Sequence, residues 1–188
     1  MKVFTDQDEE YMLDFFEEGK VIDDTGRVDI MTLSMLFGIS VMELDEPLSF
    51  QSGFISRLDE ASDIANPCAI IINMNMSNES KRFYIAKELA HWLMYDMENT
   101  VSDDGNKAFI PTKDRITDCT IMANNLLMPK IPFMYFVNDM RKDHTSPRGM
   151  VKILAEQFEV PFQSVLQRGS GLHVEEIVQL INGRTMAQ

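Results

Sequence analysis

Apolar positions along the chain repeat first at helical, then at strand, then again at helical spacing. From Asp6 to Lys20 the apolar set Tyr11, Met12, Phe15 and Phe16 lies along one side of a predicted amphipathic helix. Thr5 or Asp6 can cap its first turn and Gly19 is its expected stop. After an Asp-Asp-Thr-Gly turn, Asp29 is placed to cap a short helix carrying Ile30, Leu33, Met35, Leu36 and Phe37, ended by Gly38. Strands are predicted at Ile39–Leu44, bounded by Pro47, at Ser52–Ile55, and at Cys68–Asn73. The last is rich in β-branched residues, as a central strand would be.

At Ser77 the period becomes 3.6, giving a helix capped by Ser77 or Asn78 and running to about Met97. Its expected buried side is Phe83, Ala86, Ala90 and Leu93/Met94. A polar turn at Ser102–Asn106 separates it from helices predicted over 114–128, 132–140, 148–158 and 161–168. The tail after Gly171 has room for one more short helix, and Gly183–Gln188 reads as frayed. Strands early and helices late predict an α+β fold.

The 188 residues suffice for one core. Charge changes the picture more than size does. The chain carries a formal net charge of −13, and residues 1–63 alone hold 16 acidic and 4 basic side chains. Generic affinity for nucleic acid comes from Lys and Arg displacing counterions from phosphates. So direct nucleic-acid binding is not expected, nor is binding to an anionic membrane. Apolar runs such as Ala69–Ile72 fall far short of the ~20 residues a membrane span needs. Acids at positions 8–10 stand where a secretory signal would be apolar. These features predict a cytoplasmic protein with Cys68 and Cys119 reduced.

Candidate chemistry concentrates in Arg82-Phe83-Tyr84-Ile85-Ala86-Lys87-Glu88-Leu89-Ala90-His91. Residues four apart share a helical face, so Lys87 and His91 point the same way with Glu88 beside them. Zinc hydrolases use that spacing as His-Glu-x-x-His: two imidazoles hold the metal and the Glu activates its water. Here the first position is Lys87.

In order and spacing this segment, together with Ser52-Gly53-Phe54-Ile55, the strand to Asn73, Met122-Ala123-Asn124-Asn125-Leu126-Leu127-Met128-Pro129 and Leu154-Ala155-Glu156-Gln157-Phe158-Glu159-Val160-Pro161, resembles the ImmA/IrrE family of zincin-like metallopeptidases. The likeness covers residues 28–172, flanked by an acidic N-terminal helix and turn at 1–27 and a tail at 173–188. It implies a zincin-like α+β fold with a small early sheet packed on helices. It also implies His91 as the second metal ligand, Glu88 as general base and Lys87 in the first ligand's place. The family's third ligand is a Glu before Leu-Leu-Met-Pro. Ungapped register puts Ile116 there, with Asp114 and Asp118 the nearest acids.

A protonated Lys offers zinc no electron pair and sets a positive charge where the dication would sit. Two outcomes are open for it: the ammonium replaces the metal and pairs with Glu88, Asp118 or Asp114, or it snorkels to solvent. The resemblance and the missing ligand together predict a catalytically impaired pseudo-peptidase of phage or mobile-element type, with no cofactor. It would act by binding a protein partner such as a basic helix-turn-helix repressor. The alternative is an active zinc metalloendopeptidase, with His91, Asp118 or Asp114, and His144 around the metal. A third reading, DNA recognition by a helix-turn-helix over Gly149–Arg168, is disfavoured by Glu156 and Glu159. His144 and His173 read as solvated surface residues, and Trp92 as core or cleft wall.

Overall fold

Three strands and eight α-helices are described by the computed structural model, which covers residues 6–45, 53–57, 68–96 and 113–185. The predicted turn at Ser102–Asn106, the helix end at Met97, Thr5, Pro47 and the last three residues lie outside that range. In chain order the elements are α1 (Asp6–Glu18), α2 (Ile30–Leu36), β1 (Ile39–Leu44), β2 (Gly53–Arg57), β3 (Cys68–Asn73) and α3 (Asn78–His91). A π-helical turn (Trp92–Asp96) follows, then α4 (Lys113–Leu127), α5 (Lys130–Lys142), α6 (Pro147–Phe158), α7 (Phe162–Gly171) and α8 (Glu175–Thr185).

β3 is central, as its β-branched composition predicts. It pairs in parallel with β1, from Ile39↔Cys68 to Leu44↔Asn73, and antiparallel with β2, from Gly53↔Ile72 to Arg57↔Cys68. Ile70 and Ile72 point from it into the core. The fold is α+β and zincin-like, a small sheet against many helices. Phe16 of α1 and Ile177 of α8 belong to the same buried cluster as Ile70, Leu89, Leu126 and Phe158. The aromatic side of α1 is therefore divided. Phe16 is buried, whereas Phe15 leans on Phe37 at 5.6 Å between ring centroids, and Phe37 in turn meets Trp92 at 6.1 Å.

Local chemistry accounts for most boundaries. The Asp29 carboxylate accepts from the amides of Met31 and Thr32, capping α2, and the hydroxyls of Ser77 and Ser146 cap α3 and α6. α5 begins at Lys130, two residues before the expected Pro132, because a proline in a first turn forfeits only an amide that has no partner within the helix. Four helices end with a non-glycine residue in the left-handed region: Lys20 (φ 53°), His144 (φ 52°), Glu159 (φ 49°) and His173 (φ 55°). In each case the following amide reaches back five residues: Val21 to Phe16 O, Thr145 to Met140 O, Val160 to Ala155 O and Val174 to Gly169 O. The stop of α1 is thus Lys20, not Gly19. Gly19 serves packing instead, since a Cβ there would come within 2.9 Å of Leu36 Cδ1.

Candidate functional site

α3 presents Ile85, Ala86, Leu89 and Ala90 to the core, where β3 and α4 pack against it. The predicted buried set is corrected accordingly: Ala86 and Ala90 are buried, but Phe83, Leu93 and Met94 are only half-buried. With Ile85 and Leu89 turned inward, Lys87, Glu88 and His91 fall on a half-buried flank of the helix.

On that flank the Lys87 ammonium lies 5.7 Å from the ring centroid of Tyr84, one turn earlier, within cation–π range. Tyr84 is itself set edge-on to Phe83 at 5.5 Å. Among the described residues Lys87 forms no ion pair with Glu88, Asp118 or Asp114; an aromatic face is its neighbour. His91 is half-buried, its Nε2 shut away from solvent and making no hydrogen bond, while the residue has other contacts. Glu88 and Asp118 likewise have partners of their own. On α4, Asp118 is half-buried, Asp114 is exposed and Ile116 is 41% exposed.

The structure thus gathers Lys87, Glu88 and His91 on one flank but brings no group of three His, Cys, Asp or Glu side chains together among the described residues. The Lys87 ammonium and the sec-butyl side chain of Ile116 supply no lone pairs. The described donors do not fit a catalytic zinc, which takes three protein ligands and a water.

His144 and His173 are exposed and terminate α5 and α7 in the left-handed region. Trp92 is half-buried behind Phe37. Of the α6–α7 pair, the second helix is largely inside: Ser164, Val165, Leu166, Arg168 and Gly169 are buried, leaving it no exposed base. Cys68 and Cys119 are not joined by a disulfide.

Sequence reasoning missed the polar side chains that hold this site in place. Arg82, in the first turns of α3, donates from Nη2 to Val28 O (2.9 Å) and from Nε to Glu159 O (3.3 Å), with a longer contact to Phe158 O. The Glu159 carboxylate stands between Arg82 and Arg27, which also binds Asp23. Burial of Arg82 pushes its pKa down, opposed by Glu159, with the net shift below the usual value. Arg168 plays a similar part at the far end of α4, donating to Met128 O (2.9 Å) and Asn125 Oδ1 (2.6 Å). Asn124 donates to Gln167. Arg82, Glu159 and the Asn-Asn-Leu-Leu-Met-Pro run all lie in segments that stood out in the sequence. The signal was a charged or amide residue inside an apolar helical stripe, where a buried polar group demands partners.

A family model described as the IrrE N-terminal-like domain, a peptidase family, matches residues 34–170. A solved structure of a Mycobacterium tuberculosis transcriptional regulator is similar with a TM-score of 0.53 at 18% identity, covering 88% of this chain and 47% of that one. The chain therefore spans about half the length of that structure, and the likeness is one of fold. No curated protein matches. No described helix is long and apolar enough to cross a membrane.

Proposed function

Because this chain belongs to the IrrE N-terminal-like peptidase family, we propose that it is a metallopeptidase-like regulator whose peptidase site is degenerate and which acts by binding a basic protein partner, with a helix-turn-helix repressor as the type. The observation that carries this reading is Lys87. Its ammonium occupies the first-ligand position of the Lys-Glu-x-x-His flank and rests against Tyr84. A zinc ion there would meet a fixed positive charge in place of a donor. Ile116 in the third-ligand register removes a second donor. Without a metal Lewis acid, Glu88 has no activated water to deprotonate, so the family's hydrolytic step has no route through these residues.

A regulatory role draws support from the acidity of residues 1–63, a field that attracts basic domains. The fold likeness to a transcriptional regulator is compatible with it. The narrow, base-free exposed strip of α7 speaks against DNA reading by the chain itself.

Metal analysis of protein purified without chelator tests the reading. The wild type is expected to hold far less than one equivalent of zinc, and Lys87→His with Ile116→Glu to take up about one. Stoichiometric zinc in the wild type that is lost on His91→Ala overturns the proposal in favour of a working metalloendopeptidase.

A further inference from the structure

The outward face of α1 alternates apolar and acidic groups. Residues 11, 14, 15 and 18 share one side of a 3.6-residue helix, and all four are exposed: Tyr11 at 80%, Phe15 at 39%, with Asp14 and Glu18 beside them. The opposite side is spent on the core through Phe16. Gly19 lets Leu36 of α2, 50% exposed, lie against the C-terminal end of α1, and Phe15 bridges to Phe37. Met31 and Met35, on one face of α2, are also exposed, at 40% and 57%. Aromatic and Leu or Met side chains are what a protein leaves uncovered where another chain docks.

We propose that this face, centred on Tyr11, Asp14, Phe15 and Glu18 with Leu36 at its side, docks a basic amphipathic helix of a protein partner. The inference rests on the reading that the chain works by binding, and it names where. Charge decides the occupant. Asp14 and Glu18 interleave with the aromatic groups, Asp23, Asp24 and Asp29 are exposed nearby in the sequence, and the first 63 residues hold 16 acids against 4 bases. A second copy docking through the same face would set these carboxylates against themselves, and nucleic acid or an anionic membrane would be repelled. A helix with Lys or Arg flanking an apolar stripe satisfies both components.

The probe is a fluorescein-labelled Lys/Leu peptide with leucines at i, i+4 spacing. Its controls are a scrambled isomer of identical composition and a Glu/Leu counterpart. The wild-type protein is expected to bind the patterned peptide about tenfold or more tightly than the scrambled one, and the Glu/Leu peptide not at all. Tyr11→Ser with Phe15→Ser is expected to lose about tenfold or more, and Asp14→Lys with Glu18→Lys to lose as much and to flatten the salt dependence. Tyr11→Ser alone keeps the test sound should the double variant unfold, because Tyr11 is so exposed.

Equal binding of the scrambled peptide, or unchanged binding by Tyr11→Ser and the double variant, overturns the proposal. So does a wild-type dimer in sedimentation that Tyr11→Ser dissociates. A lowered urea midpoint for Tyr11→Ser with undiminished binding also overturns it, because the face is then covered by the chain itself. The zinc content of the same preparations reports separately on the degenerate site.

Discussion

Arg82 donates to carbonyls of two distant segments, Val28 on one side and Phe158 and Glu159 on the other, from a side chain only 16% exposed. Replacing it with Met keeps the apolar stem and strands those carbonyls without a charged donor. The expected loss is about 2–3 kcal/mol, read from the urea midpoint, with Arg82→Lys recovering only part because an ammonium cannot span both segments. A second residue makes stability pH-dependent. Partial burial raises the pKa of Asp29, but hydrogen bonds from the Thr32 hydroxyl and the Thr32 and Met31 amides, with help from Arg82, outweigh it and hold the carboxyl below its ordinary 3.8. Asp23 is lowered in a similar way, burial being outweighed by Thr25 and Arg27. A depressed folded-state pKa contributes stability above the unfolded value and loses it as pH falls through the folded one. The wild type is therefore expected to weaken as pH drops below about 4. Asp29→Asn, which still caps α2, should show a shallower loss across that window when urea midpoints at neutral and acid pH are compared.

Among the elements, α8 tests how far the fold extends past the matched region. Gly169 on α7 faces Ile177, which is fully buried; a Cβ at 169 would sit 2.3 Å from Ile177 Cδ1 and 3.2 Å from its Cβ. Gly169→Ala is expected to cost about 1–3 kcal/mol by overpacking, and Ile177→Ala in the same chain to relieve part of that cost rather than add to it. Additive losses in thermal or urea melts would show that α8 does not pack as described. How much of this was legible in the sequence follows from how local each cause is. Strands β1 and β3 were readable to the residue, since β-branched runs between turn signals are self-contained. The Lys87–Glu88–His91 flank was readable because it depends only on helical period. The buried face of α3 was read off by about one position: Ile85 and Leu89 join Ala86 and Ala90 inside, while Phe83, and Leu93 and Met94 around the π-helical turn, pack half-buried at the edge of the core. Arg82 and Glu159 lie 77 positions apart, and no local pattern announces that they meet. Likewise nothing in the neighbourhood of His144 or His173 marks either as the left-handed stop of its helix, a place usually filled by glycine.

Over the whole molecule, stability and binding are expected to answer salt in opposite directions. Most of the net charge of −13 is carried by residues 1–63, so the fold works against repulsion within its own surface. Raising NaCl from about 0.1 M to about 1 M shortens the screening length from about 10 Å to about 3 Å. The urea midpoint should rise over that range, while affinity for a basic partner falls. Exposed Glu17 and Glu18 contribute to that repulsion at low salt, because they sit in the last turn of α1, at the negative end of its dipole, a turn that holds two acids and no base, with a single Lys20 beyond it. Glu17→Gln with Glu18→Gln should therefore raise stability by about 0.3–1 kcal/mol at low salt and reduce the salt response of the midpoint. If docking uses the Tyr11–Glu18 face, the same substitution weakens capture of the Lys/Leu peptide even as the fold gains. Glu17 lies off that face, so Glu17→Gln alone should stabilise without weakening capture. That separation distinguishes an acid that binds from one that merely keeps the surface charged.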